Sequence, residues 1–354
     1  MSIVTELEVQ SDTGPEQAIE GRSQWQLTWR RLLHDKVAVA SIIVILLVTV
    51  LAIIAPAFAS LTGHGATATF PKTGETSAGL PVPPGTHGFP LGTDSVGRDL
   101  LIRILYGARI SLFVGVLTTL IATAAGVAVG LIAGYFGGWV DGVLARFIDA
   151  VLAFPYVVLA LALAARFGPS LPLIIIVITF FSWAAVARIV RGQTLSLKEK
   201  EYVEAARSLG ASPWRIMFFD ILPNLLAPVL VLGTLLVPAA IVFEATLSYL
   251  GLGIQEPTPS WGNILAEAQN FYQEAWWYIV FPAAALLITT LAFNLLGDGI
   301  RDAMDPRTER IFASQRARKR ARKRKRTQAR EGGSAASQDH PDPAGPAAPP
   351  PTAS

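Results

Sequence analysis

Six apolar stretches set what this chain can fold into. They run over Val37–Phe58, Ile110–Tyr135, Phe147–Ala165, Leu171–Val190, Leu225–Leu250 and Ile279–Leu296. Crossing the hydrocarbon core of a bilayer takes about 20 apolar residues of helix. In lipid, only a helix or a closed barrel satisfies every backbone N–H and C=O. These runs are apolar all round and do not alternate, so they specify helices. Composition agrees: 52% of residues are hydrophobic and 16% charged, against roughly a quarter charged in soluble domains. The expectation is an all-α integral membrane protein with six transmembrane helices.

Several chemistries are excluded early. Cysteine is absent, which removes a disulfide framework, a thiolate zinc site and a cysteine nucleophile. His34, His64, His87 and His340 are scattered and form no metal-ligand pattern. No GxxxxGK[ST] phosphate loop occurs, so the chain carries no visible ATPase of its own. A membrane enzyme would need ionisable groups gathered at one site, and no such cluster stands within the apolar runs.

The termini orient the spans. Residues 1–36 read as a cytoplasmic segment with no cleavable signal peptide. Trp25, Trp29, Arg30, Arg31, His34 and Lys36 form an interfacial approach, and their cations place the amino terminus in the cytoplasm. Residues 37–58 form the first span, and 59–109 an extracytoplasmic loop rich in Gly, Pro and Thr. Residues 110–306 hold five further helices, and 307–354 a solvated tail. The run Arg316–Arg330 is almost solid Arg and Lys and suits anionic membrane lipids. Nucleic-acid binding is set aside because the body is embedded. Gly126, Gly130 and Gly134, four apart in the second span, predict close helix packing. Phe154-Pro155 predicts a kink in the third span. Asp141, Arg146 and Asp149 are expected to pair, and Trp276-Trp277-Tyr278 to form an aromatic belt.

The polar connector at 198–223 is too long for a turn and too patterned for a linker. Tyr202, Val203, Ala206 and Leu209 recur at helical spacing. Gly210 is expected to end that helix in a left-handed conformation, and Ser212-Pro213 to start the next. A second patterned segment, Leu91–Leu112, reads LGTDSVGRDLLIRILYGARISL. Thr93-Asp94 is expected to cap an interfacial helix beginning near Ser95.

Glu204-Ala205-Ala206, Gly210 and Leu222-Pro223 resemble the EAA loop of ATP-binding-cassette (ABC) importer permeases, with Asp220 standing where that pattern has Ile. The segment from Leu91 matches the dipeptide/oligopeptide branch at Gly92, Thr93, Asp94, Gly97, Arg98, Asp99, Arg103, Gly107, Arg109, Ser111 and Leu112. So do Glu244–Gly253 and Gln255–Gly262. The resemblance covers roughly residues 25–310. It implies an ABC type I importer-like fold in which the EAA loop is a cytoplasmic coupling helix. Glu204, Ala205, Ala206, Gly210, Leu222 and Pro223 would then meet an ATPase. It also implies a second homologous permease, two ATP-binding subunits that hydrolyse the ATP, and an external binding protein. The cargo would be di- or oligopeptides, with no cofactor bound by this chain.

Two sets of residues keep alternatives open. Asp94, Arg98, Asp99, Arg103 and Arg109 are either an ion-paired anchor or a rim that receives a peptide carboxylate or the binding protein. Glu244, the one carboxylate deep in the fifth span, either lines a pathway or makes a buried hydrogen bond. A rival reading is an ion-driven secondary transporter in which Glu244 carries the proton.

Overall fold

The computed structural model describes residues 24–304. The expectations for residues 1–21, for Asp305-Pro306-Arg307 and for the basic and Ala/Pro-rich tail lie outside the described residues. Among the described residues there are helices and three isolated bridges but no strand. A short amphipathic helix, α1 (Gln24–Leu32), precedes α2 (Lys36–Thr62). Asp35 caps α2 by accepting from Val37 N at 2.9 Å, and Gly63 closes it at φ 71°. A folded loop leads to α3 (Leu100–Phe136), followed by α4 (Gly138–Ala153), α5 (Tyr156–Phe167) and α6 (Leu171–Leu197). After α7 (Glu201–Ser208), one turn at Pro213–Arg215 (α8) and a wide i→i+5 turn at Ile216–Ile221 run into α9 (Leu222–Tyr249). The chain ends its described part with α10 (Trp261–Ala268) and α11 (Trp276–Met304). Five helices are long and apolar enough to cross a membrane, or six if the bent pair α4–α5 is one span.

The second span is built into the bundle by its glycines. A Cβ at Gly126 would lie 2.5 Å from Val186 Cβ, one at Gly130 2.6 Å from the Ala187 carbonyl, and one at Gly134 2.6 Å from Thr194 Cβ. The stripe therefore brings α3 against α6 at backbone contact, the close approach its spacing predicts. Gly130→Val is expected to cost at least 1–3 kcal/mol, roughly the penalty of overpacking. Thermal unfolding of the purified protein would read it. Gly192→Ala, with nothing within 4 Å of its Cβ, is the matched control and should change little.

Several expectations need correction. No separate interfacial helix exists before the second span. Nothing interrupts the helix between Leu100 and Ile110, so the segment is the first part of α3. Its cap is Asp99, which accepts from Leu101 N at 2.9 Å and Ile102 N at 3.3 Å. Asp94 instead closes a turn, accepting from Val96 N at 3.0 Å and Arg98 N at 2.8 Å. The kink at Phe154-Pro155 is a full break, with α4 and α5 bent by 78°. Gly137 alone separates α3 from α4, which begins at Gly138. Asp141 and Asp149 pair with Arg191 and Arg188 of α6, not with Arg146. The Arg191 Nη2 and Arg188 Nη2 contacts are 2.7 and 2.6 Å. Trp277 and Tyr278 are buried in the bundle, leaving Trp276 alone of the expected belt exposed.

Candidate functional site

One end of the bundle carries α7. Val203 is fully buried there against Ile216, Met217, Ile221 and Leu225, on a floor made by Leu131, Val186 and Val190. Glu204 and Ala205 point outward, as does Gly210. Ala206 does not: it is half-buried against the cluster around Val203. The pair Ala205-Ala206 is therefore split between the outer and inner sides of the helix, because adjacent helical positions diverge by about 100°. Gly210 has φ 81° with no atom within 4 Å of where a Cβ would stand, so left-handed backbone, not crowding, calls for glycine. Ser212 then caps the next turn through Arg215 N, with Pro213 at its start. Pro223 cannot donate to the carbonyl four residues back. The Leu222 N–H reaches five residues back to Met217, and the wide turn results. Leu222 is half-buried and Pro223 exposed.

The side of this loop facing away from the bundle is unusually apolar. Leu209 is 89% exposed, and Trp214 and Phe218 stack with ring centroids 6.1 Å apart. Burial and the neighbouring Asp220 carboxylate both push the Tyr202 hydroxyl above its ordinary range. A hollow of about 390 Å³ lies beside α7, lined by Tyr135, Phe136, Lys198, Glu199, Arg207 and Pro213. The spacing of the loop gave its helix and its stop. The outward Leu209 was expected on an apolar face, and its exposure follows from its position past the last turn.

The opposite end of α3 carries an ion cluster. Arg103 is fully buried. It bonds Glu256 at 2.6 Å and both oxygens of Glu267 at 2.9 Å, and also reaches Asp94. Arg98 bonds Asp94, Glu256 and, at 2.9 Å, Glu267. The Tyr278 hydroxyl donates to Glu267 at 2.6 Å. Burial pushes the Glu267 carboxyl above the ordinary carboxylate range, and its bonds from Arg103 offset this only in part. At Glu256 the same burial cost is outweighed. A hydrogen bond from the Glu267 carboxyl and the two guanidiniums hold it below that range. Three acids thus share two arginines.

Asp99 stands beside this cluster with a different partner. Its second oxygen is 2.6 Å from His64 Nδ1, and the His64 ring packs in a triangle with Phe70 and Phe89, with centroids 4.6 and 4.8 Å away. Thr93 donates to the Gly74 carbonyl at 2.6 Å and accepts from Val82 N at 2.9 Å. The Thr93 bonds fold the loop at 63–99 onto itself, and the His64–Asp99 contact ties it to the head of α3. Arg109 is apart from all of them, exposed and stacked on Tyr106 at 5.6 Å. Of the five residues grouped at this end, Asp94, Arg98 and Arg103 share one network, Asp99 a second, and Arg109 neither. Their partners Glu256, Glu267 and His64 were missed. They stand 35 to 169 residues away in the chain, beyond the reach of any local pattern.

Glu244 is fully buried. It accepts from Ser111 Oγ of α3 and Ser248 Oγ of its own helix, each at 2.8 Å. Gly115 lets Ile241 and Val237 of α9 approach α3 one turn away. The carboxylate therefore ties two spans together and has no open surface in this structure.

The family model described as "Binding-protein-dependent transport system inner membrane component" matches residues 126–310. A second, the "N-terminal TM domain of oligopeptide transport permease C", matches residues 23–71. The oligopeptide transport system permease protein OppC of Salmonella typhimurium is 43% identical over 291 residues, 82% of this chain and 93% of that one. The dipeptide transport system permease protein DppC of Bacillus subtilis is 42% identical over 289 residues, 81% of this chain and 87% of that one. A solved structure of the MetNI methionine ABC transporter, inward facing, aligns over 58% of this chain and 96% of its own, with a TM-score of 0.48 and 18% identity. With a family model over more than half of its length and relatives above 40% identity along nearly all of theirs, the chain belongs to the binding-protein-dependent transport system inner membrane components, in the branch of the OppC and DppC permeases.

Proposed function

We propose that this chain is the transmembrane permease subunit of an ATP-driven, binding-protein-dependent importer of di- and oligopeptides. The observation that carries the reading is α7. It is seated on the bundle through Val203, while Glu204, Ala205, Leu209 and Gly210 face outward. A separate ATP-binding subunit would receive that surface. Glu204 supplies polar contacts, Ala205 permits close approach, Ala206 seats the helix on its own bundle, and Gly210 makes the turn. Leu222 and Pro223 fix where the loop becomes α9. ATP binding and hydrolysis occur on two such partner subunits. Their closure is passed through α7 to the spans, which alternate between inward-open and outward-open forms. A second homologous permease completes the pathway, and an extracytoplasmic binding protein delivers substrate. In this reading α7 and both termini are cytoplasmic, and the loop at 63–99 faces the binding protein. The relatives' cargoes, oligopeptides and dipeptides, supply the substrate class.

Affinity purification of the tagged chain from its native membrane in mild detergent tests the assembly. Two Walker-type ATPases and a second multi-span permease are expected with it. Recovery of the chain alone, folded and active in ion-driven uptake, would sink the proposal.

The surroundings of Glu244 bear on the ion-driven rival. A proton carrier must meet water during its cycle, whereas Glu244 is sealed between two serine hydroxyls. Glu244→Gln keeps an acceptor for one serine. It is expected to weaken one hydrogen bond, about 0.5–1.5 kcal/mol, and to leave ATP-dependent uptake in vesicles largely intact. Complete loss of uptake in a stably folded Glu244→Gln transporter would favour the rival.

A further inference from the structure

The break between α4 and α5 follows from the sequence. Pro155 has no N–H, and it drives Phe154 out of the helical region, to φ −77° and ψ 133°. Around it the backbone is poorly satisfied. Phe154 N donates to the Val151 carbonyl at 3.3 Å, and the Pro155 carbonyl accepts from Val158 N and Leu159 N. The carbonyls of Leu152, Ala153 and Phe154 and the amides of Tyr156 and Val157 have no backbone partner among the described residues.

The position of the break makes this costly. The Tyr156 ring packs on Phe243 at 4.1 Å and on Phe181 at 6.3 Å between centroids. Phe181 stands roughly 15 Å along α6 from its start at Leu171, and Phe243 roughly 9 Å along α9 from its end at Tyr249. Both belong to helices long and apolar enough to cross a hydrocarbon core about 30 Å thick. The break is also on the surface of the chain: Ala153, Phe154, Pro155 and Tyr156 are all exposed, Phe154 by 60%. Each unpaired backbone group costs several kcal/mol in lipid. Irregular backbone at such depth persists only inside protein or along a water-filled cavity. A neighbouring helix has no spare backbone donors, because its own are consumed within it. Water supplies donors and acceptors together.

We infer that the α4–α5 break lines the water-filled route through the assembled transporter, where the carbonyls of Leu152, Ala153 and Phe154 accept from N–H groups of the passing substrate. This rests on the transport reading above. A peptide suits the site chemically. Its backbone amides and terminal ammonium are donors for the carbonyls, and the aromatic faces of Phe154, Tyr156 and Phe243 flank them for apolar side chains.

The absence of cysteine in the chain makes the test direct. Ala153→Cys, Phe154→Cys and, as a comparison within the regular part of α5, Leu161→Cys (54% exposed in the wild type) are introduced singly into the full transporter in its membrane. Each is treated with a charged, water-soluble methanethiosulfonate reagent, and labelling is read on this chain by mass. Thiols react as thiolates and need water. Positions 153 and 154 are expected to react at least about ten-fold faster than position 161, and their modification should block uptake. Labelling no faster than at position 161, or fast labelling that leaves uptake unchanged, would overturn the inference. Membrane abundance of the unlabelled variants and their co-purification with the partner subunits show that they fold, and ATP-dependent uptake by wild-type membranes tests the importer reading separately. If that uptake is absent from wild-type membranes, the importer reading fails, and the labelling rates still decide whether water reaches the break.

Discussion

Arg103→Met should destabilise the folded chain by about 3–5 kcal/mol, the cost of stranding buried carboxylates when one member of an ion cluster is removed. Arg103 supplies four of the bonds that hold Asp94, Glu256 and Glu267 together. Without it three acids face one arginine, and Arg98 cannot reach all their oxygens. Loss of thermal stability in detergent, with a parallel fall in membrane abundance, is the readout. Arg103→Lys should fail nearly as badly, since one ammonium cannot reproduce a planar fork that serves three carboxylates. Glu267→Gln added to Arg103→Met should recover part of the loss by removing a charge left without a partner. A loss below about 1 kcal/mol, the range of exposed pairs, would mean that the cluster is solvated in the assembled protein.

Gly210→Glu is expected to reduce ATP-driven uptake to background while leaving the chain in the membrane. The backbone there sits at φ 81°, where an L-residue costs about 1–2 kcal/mol. No neighbouring atom stands within 4 Å of the new Cβ, so the bundle itself is not strained. What changes is the surface beside Leu209, which would carry a carboxylate where the partner ATPase is expected to close. Gly210→Asn, which tolerates left-handed backbone better, should retain more uptake than Gly210→Glu. Normal uptake by Gly210→Glu at normal abundance would remove α7 from the coupling step.

What could be read from the chain beforehand divides by range. The apolar runs, the Gly126-Gly130-Gly134 stripe and the stop at Gly210 are local, because each depends on residues within a turn or two of one another. They reappear as the long helices, the α3–α6 contact and the left-handed turn. The ion cluster is not local. Asp94, Arg98 and Arg103 look like the polar side of an interfacial helix until Glu256 and Glu267 arrive from more than 150 residues away. Thr93-Asp94 is the cap the local pattern suggests, and the folded loop instead puts Asp99 at the start of α3. Pro155 announced a kink, but its 78° size depends on how α5 packs against α6 and α9.

The length of α3 has a mechanical consequence. At 37 residues it is a rod of roughly 55 Å, uninterrupted by proline. Its head carries Arg103 in the ion cluster, and its foot carries Leu131 and Tyr135 in the packing beneath α7. A rod without a hinge cannot absorb a displacement, so it passes displacement on as leverage. Pivoting by about 5° around the ion cluster would carry the foot sideways by roughly 5 Å over that length, nearly one helical turn's pitch. The glycine stripe in its lower half binds α6 so closely that the two would swing as one beam.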